Sequence, residues 1–359
     1  MTNQQNIDKK ISATIEKILA RNVGGLDHLE GLSLDFGVTP KDIIHSRGTM
    51  KLYHYLPKSD EIYRIPVVII APLMNRYYIL DLAPGQSFVE YLVEQGLDVY
   101  LIDWGTPRKE HKHYKFDHYV DDFLPECLQK VAEDCGETDV SLLGYCVGGI
   151  MAAMRTALDG DGSGNGNIKN LVCLTTPVNA DGMPLYKSWA DSKTFDIDEI
   201  VDELGNIPAG MIDGMMQALR PLQRTAGRLQ LLNNITNDQF VEAHYRFERW
   251  ATDQIPLAGE TARQLFKDFL QDNKLIANKF ELNGKKINLG DIAVPFLHVT
   301  ALHDHIVPTA ASEQLVNLVK SEDKQEIVLK GGHVSLVAGG NAVFRLWPQV
   351  SDWLSQRSE

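Results

Sequence analysis

The chain has 359 residues, and its 48 acidic against 35 basic residues give a formal net charge of -13 at pH 7. That balance, with no basic stripe, argues against nucleic-acid binding, while 44% hydrophobic and 23% charged residues are ordinary for a globular chain with one large core. No apolar run approaches the roughly 20 residues of a membrane span, and the polar start from Met1 to Lys10 lacks the apolar core of a secretory signal.

Residues 1–60 read as an N-terminal helical and extended segment packing on the core. Lys9 to Ala20 has helical periodicity, with Ile11, Ile15, Ile18 and Leu19 on its apolar side, and is expected to dock on the main domain. Lys51 to Leu56 suits an edge strand. From Val67-Val68-Ile69-Ile70, a β-branched run expected of a strand buried on both faces, strands and helices alternate. A helix at Ser87 to Glu94 precedes a strand at Asp98 to Asp103. A helix at Tyr119 to Asp134 precedes a strand at Asp139 to Leu143, and a helix at Val147 to Leu158 precedes a strand at Leu171 to Thr175. This rhythm means a mostly parallel sheet with helices on both faces. Asp159 to Asn167 (DGDGSGNGN) is Gly-rich and acidic and reads as a surface loop. Residues 180–285 break the rhythm: they are mostly helical and rich in Met and Leu (Met211, Met215, Met216, Leu219, Leu222), an insertion capping the sheet. The Met stripe reads as buried core; the alternative is an adaptable apolar lid. Strands return at Phe296 to Thr300 and Glu326 to Leu329, and Asn341 to Ser355 forms the last helix. The α/β core therefore comprises 61–179 and 286–359.

The four cysteines, Cys127, Cys135, Cys146 and Cys173, form no CxxC pair, so neither a zinc site nor a disulfide framework is expected. Three read as structural thiols. Cys146 differs, because a buried strand runs into Gly144-Tyr145-Cys146-Val147-Gly148-Gly149 and then directly into a helix. This is the nucleophile elbow, with Cys where hydrolases usually carry Ser. The turn aims the side chain above the sheet, the helix N-terminus favours a thiolate, and the Val147 N–H points toward a developing oxyanion. The acid and base should follow in chain order. Asp304 lies just after a late strand, and His333 sits on the Gly-flanked loop after the last one. Cys146, Asp304 and His333 make the triad, His333 taking the thiol proton and Asp304 fixing its tautomer. Met74, in the loop after the first core strand, is the candidate second oxyanion donor. His303 and His305 flank Asp304 without metal-ligand spacing. His111, His113 and His118 fall in a charged segment that reads as solvated, and His28, His45, His54, His244 and His298 show no partner pattern.

These residues resemble the polyhydroxyalkanoate synthases, in particular the short two-component type. Asn75 to Leu82 (NRYYILDL), Ser87 to Gly96, Ile102-Asp103-Trp104-Gly105-Thr106-Pro107, the box at Gly144 to Gly149, Trp250 with Asp253 to Leu275, Asp304-His305-Ile306-Val307-Pro308 and Gly331-Gly332-His333 match in order. The chain departs at Thr309, where the family usually has Trp, and at Val334-Ser335, where it often has Ile-Gly. The resemblance implies an α/β-hydrolase fold with a helical cap. It implies a 3-hydroxyacyl-coenzyme A substrate, acyl transfer through a Cys146 thioester, and no cofactor or metal. It further implies a small accessory subunit, a homodimer or hetero-oligomer, and a cytoplasmic enzyme associated with polymer granules or the growing polyester. Arg76, Arg108, Lys109 and Lys112 are candidates for the coenzyme phosphates. The competing readings are a Cys-type hydrolase, such as a thioesterase or dienelactone hydrolase, and a non-catalytic granule-coating relative.

Overall fold

A computed structural model describes residues 9–16, 35–160, 167–191, 193, 195–234 and 237–359. Ten strands are formed among the described residues: β1 (Lys41–Arg47), β2 (Met50–Tyr55), β3 (Val67–Ile70), β4 (Val99–Asp103), β5 (Asp139–Tyr145), β6 (Asn167–Leu174), β7 (Glu281–Leu282), β8 (Lys285–Lys286), β9 (Phe296–Ala301) and β10 (Lys324–Leu329). Eight of them make one sheet in the order β1-β2-β4-β3-β5-β6-β9-β10, and β7 and β8 pair separately. The pairs β1–β2 and β2–β4 are antiparallel. From β4 to β10 every neighbour is parallel. The physical reason lies in the side chains: β3 and β9 are buried at every position, so both faces must be covered by helices.

Two expectations at the N-terminus change. The strand read at Lys51 to Leu56 is not the edge, because β1 lies outside it. β1 carries polar residues on a half-exposed face (KDIIHSR), so its sequence shows no alternation. The described turn of the first helix, residues 9–16, leaves Ile11 and Ile15 exposed, while Ile18 and Leu19 lie outside the described residues. Most of the Asp159 to Asn167 loop also lies outside them.

The elbow helix, Val147–Asp159, follows β5 after one residue and is buried over Val147 to Leu158. Its first turn can press against β3 only without side chains. A Cβ on Gly148 would stand 2.0 Å from the Ile70 carbonyl oxygen, and one on Gly149 would stand 1.8 Å from the Thr176 hydroxyl. Between β6 and β9 run the helices Pro184–Ala190, Ile197–Leu204, Ala209–Leu219, Gln223–Asn233, Asp238–Thr252 and Gly259–Gln264, continued by a π-helical stretch at Leu265–Gln271. They stand over the end of the sheet from which Cys146 projects. No helix among the described residues is long and apolar enough to cross a membrane.

Candidate active site

Cys146 stands between β5 and the elbow helix with φ 55° and ψ -120°. A non-glycine residue in that region is strained and persists only where its surroundings hold it. Here the Cys146 N–H donates to the Leu174 carbonyl at 2.9 Å, and its own carbonyl accepts from the Gly149 N–H at 2.9 Å. The neighbouring strand β6 and the helix after the turn thus both grip it. Val147 opens the helix, where N–H groups have no partner within the helix.

The structure brings Asp304 and His333 to this turn. His333 Nδ1 lies 2.7 Å from Asp304 Oδ2, and Cys146 is close enough to its ring to raise the His333 pKa. All three side chains are buried or nearly so. Asp304 is held from several sides. Its Oδ1 accepts the Ile306 N–H at 2.9 Å and the Val307 N–H at 2.8 Å, and its Oδ2 also accepts the Thr175 hydroxyl at 2.7 Å. Burial alone would raise the Asp304 pKa, but the His333 ring, the Thr175 hydroxyl and the Val307 N–H outweigh it and hold the carboxyl below its ordinary value. Burial alone would lower the His333 pKa, yet the charge and hydrogen bond of Asp304, with Cys146 close to the ring, push it well up. Tyr145 packs its ring on His333 at 5.0 Å between centroids, bracing the imidazole from the strand side.

The other cysteines stand apart. Burial pushes Cys173 up to about 12 and Cys127 higher still, and it raises Cys135 as well, so these thiols stay protonated. Cys135 is half-buried, Cys127 and Cys173 fully so.

Beside Cys146 opens a cavity of about 130 Å³ lined by Met74, Val147, Ile150, Met183, Phe269, Val307 and others. The Met stripe divides: Met211 and Leu219 pack against the core as expected, and Leu222 is exposed. Met215 and Met216 line this cavity rather than a sealed core, because their helix leans over the sheet with only Ile212 fully buried. Met74 contributes its side chain to the same wall, and its carbonyl accepts the Ile255 N–H at 3.3 Å.

Several polar residues differ from their sequence reading. His111 is buried and stacks on Tyr114 at 4.8 Å, because the charged segment folds back as a short 3-10 turn. His54 bridges Asp98 and Asp134 at 2.8 Å each, and His45 meets Glu126 at 2.8 Å; these partners are distant in sequence and invisible to a local pattern. Arg76 is paired with Asp253 at 3.2 Å and Arg108 with Glu110 at 3.5 Å, whereas Lys109 and Lys112 are exposed. Among the described residues no group of three or more His, Cys, Asp or Glu could hold a metal.

Residues 28–92 match the family described as poly-beta-hydroxybutyrate polymerase (PhaC) N-terminus, and residues 79–339 match the alpha/beta hydrolase fold. The chain is 34% identical to the poly(3-hydroxyalkanoate) polymerase subunit PhaC of Haloferax mediterranei, over 96% of this chain and 69% of that protein. It is 33% identical to the subunit of the same name from Allochromatium vinosum, over 94% of this chain and 95% of that one. The chain belongs to the poly(3-hydroxyalkanoate) polymerase family. Its fold is that of the α/β hydrolases. A soluble variant of monoglyceride lipase from Saccharomyces cerevisiae superimposes with a TM-score of 0.54 at 13% identity, over 91% of this chain and 97% of that one. A monoacylglycerol lipase from Paleococcus ferrophilus gives 0.52 at 18% identity, over 83% and 96%.

In this member of the polymerase family, two residues of the site escape sequence reasoning. Thr175 sits at the end of β6 with φ 45°, its N–H donating to the Val299 carbonyl at 2.7 Å and its hydroxyl to Asp304. A β-branched residue at positive φ is an outlier, and nothing local announces it. Tyr145, inside the elbow box itself, could have been found from its place beside the nucleophile, but its contact with His333 needs the fold.

Proposed function

We propose that the chain is a polyester synthase that polymerises (R)-3-hydroxyacyl-coenzyme A and releases coenzyme A, with Cys146 as nucleophile. The observation that carries this reading is the buried chain Asp304–His333–Cys146 at a strained elbow, in a member of this family. The Cys146 thiolate attacks the thioester carbonyl. The carbon–sulfur bond to coenzyme A breaks, the coenzyme thiolate takes the proton held by His333, and the acyl group stays on Cys146 as a thioester. His333, now neutral, accepts the proton of the 3-hydroxyl of a second substrate as its oxygen attacks the acyl-Cys146 carbonyl. An ester forms, the bond to Cys146 breaks, and the thiolate–imidazolium pair is restored. The lengthened acyl-coenzyme A then returns its chain to Cys146. Asp304 holds the ring orientation and stabilises its charge throughout. The N–H groups of Val147 and Met74 serve as the oxyanion donors. No cofactor enters this scheme.

The partners follow from the same reading: a small accessory synthase subunit, assembly as a homodimer or hetero-oligomer, and attachment in the cytoplasm to the growing granule. The test is coenzyme A release from (R)-3-hydroxybutyryl-coenzyme A with turbidity recorded together, alone and in a lysate of the native host, with Cys146→Ala as control. Release with rising turbidity, both lost in the variant, is expected. Release that yields only free 3-hydroxy acid overturns the reading in favour of a hydrolase.

A further inference from the structure

The cavity beside Cys146 has a chemistry of its own. Among its lining side chains only Cys146, Asn179 and Tyr186 carry a nitrogen, oxygen or thiol. The Asn179 carbonyl oxygen is already taken, by the Asp181 N–H at 3.0 Å and the Asn273 amide at 2.8 Å. Tyr186 is buried on the wall. Everything else is hydrocarbon, thioether or aromatic face. Asp304 and His333 are not on the wall, although Ile306 and Val307, whose N–H groups hold Asp304, are.

A polyester backbone carries an ester carbonyl in every unit. Buried against such walls, most of those carbonyls would lose water and find no donor, a costly exchange, since only the Tyr186 hydroxyl and the Asn179 side-chain amide could offer one. An alkyl group loses nothing there. The cavity is also larger than a methyl group needs. An apolar cavity of about 150 Å³ takes benzene, and this one measures about 130 Å³.

We infer that this cavity receives the alkyl substituent on carbon 3 of the substrate, and that the enzyme accepts 3-hydroxyacyl thioesters with side chains of three to five carbons, beyond the methyl of 3-hydroxybutyrate. The inference rests on the synthase reading above. With the acyl carbonyl at Cys146, carbon 3 lies two bonds further on, so its alkyl group can enter the cavity that opens beside Cys146. The wall suits a range of lengths, because Met74, Met183, Met215 and Met216 are unbranched and repack easily. Ala262, wholly buried in the helix Gly259–Gln264, lines the cavity with a small side chain that a larger one would fill.

The experiment measures coenzyme A release by the full chain from the (R)-3-hydroxybutyryl, 3-hydroxyhexanoyl and 3-hydroxyoctanoyl thioesters, in the presence of host lysate cleared of endogenous synthase. The hexanoyl thioester is expected to reach at least the kcat/KM of the butyryl one. Turnover of the butyryl thioester with the longer two below a tenth of it overturns the inference and leaves the synthase reading standing. No release from any of the three overturns both. Ala262→Phe supplies the second arm: filling the cavity should lower the ratio of hexanoyl to butyryl kcat/KM at least tenfold. That ratio does not depend on how much of the variant folds, and an unchanged ratio counts against the cavity as the alkyl site.

Discussion

The floor and the roof of the active site are built on opposite principles. The floor is sheet and elbow: β3, β5, β6 and β9 are almost entirely buried, and the first turn of the elbow helix touches them through glycine. The roof is the run of helices between β6 and β9, where Ala209–Leu219 has one fully buried residue and Gln223–Asn233 has none among its described side chains. Chemistry needs fixed distances between thiol, ring and carboxylate, and close packing supplies them. A greasy chain of variable length needs a wall that yields, and methionine on loosely held helices supplies that.

The contrast is broken most directly at the nucleophile. Cys146→Ala should cut coenzyme A release by about 10⁴-fold or more, with the unfolding midpoint in urea kept or slightly lowered, because alanine bears the same positive φ and only the contacts of the sulfur are lost. Asp304→Asn should cost about 10³–10⁴-fold, measured as kcat/KM, because an amide presented to His333 cannot fix the reactive tautomer. The same variant tests the electrostatics. The Asp304 pKa is lowered, so its contribution to stability is present above the ordinary carboxylate pKa near 4 and is lost as pH falls through its folded value. The His333 pKa is raised, so its contribution is full below about 6.5 and is lost as pH rises toward its folded value. Urea unfolding at pH 5, 6.5 and 9 should show the wild-type advantage over Asp304→Asn largest at the lower two values. An advantage that grows toward pH 9 contradicts the assignment.

Packing comes next in size. Gly148→Ala places a methyl group against the Ile70 carbonyl and should cost about 1–3 kcal/mol by urea denaturation. Thr175→Val keeps shape and β-branching but removes one donor from Asp304. It should lower kcat/KM about tenfold, near the value of one hydrogen bond to a charged group, with Cys146 alkylation by iodoacetamide slowed in parallel. An alkylation rate unchanged while kcat/KM falls would move Thr175 from holding the carboxylate to some other role.

How far each half could be read from sequence follows the same division. Floor elements announce themselves, because a strand buried on both faces is a continuous apolar run: β3 stands at the residues expected, and β4, β5, β6, β9 and β10 within a few residues of them. The elbow was legible because its glycines are imposed by backbone contact. Asp304 and His333 were legible because they sit directly after strands. What failed is what depends on distant partners. β1 is a strand only because β2 pairs with it. His54 is paired only because the fold brings Asp98 and Asp134 to it. Thr175 looks like the tail of any apolar strand. In the roof, the Met stripe has the same spacing whether it faces a sealed core or a cavity, so periodicity alone could not decide.

The smallest effect is expected on the roof's outer surface, and it tests the comparison from the other side. Leu229 is 57% exposed on the helix Gln223–Asn233, with no buried neighbour among that helix's described residues. If the roof contributes little to the stability of the floor, Leu229→Gln should change unfolding free energy by no more than about 0.5 kcal/mol, the usual range for surface changes. Met216→Leu, on the inner surface, keeps the volume and should also stay within about 1.5 kcal/mol, but it stiffens the wall and should narrow the range of acyl chains accepted. Stability unmoved while selectivity shifts is the signature of a binding wall carried on a scaffold it does not support. A loss of several kcal/mol from Leu229→Gln would mean that the helix is seated in the folded protein, and the division between rigid floor and yielding roof would have to be redrawn.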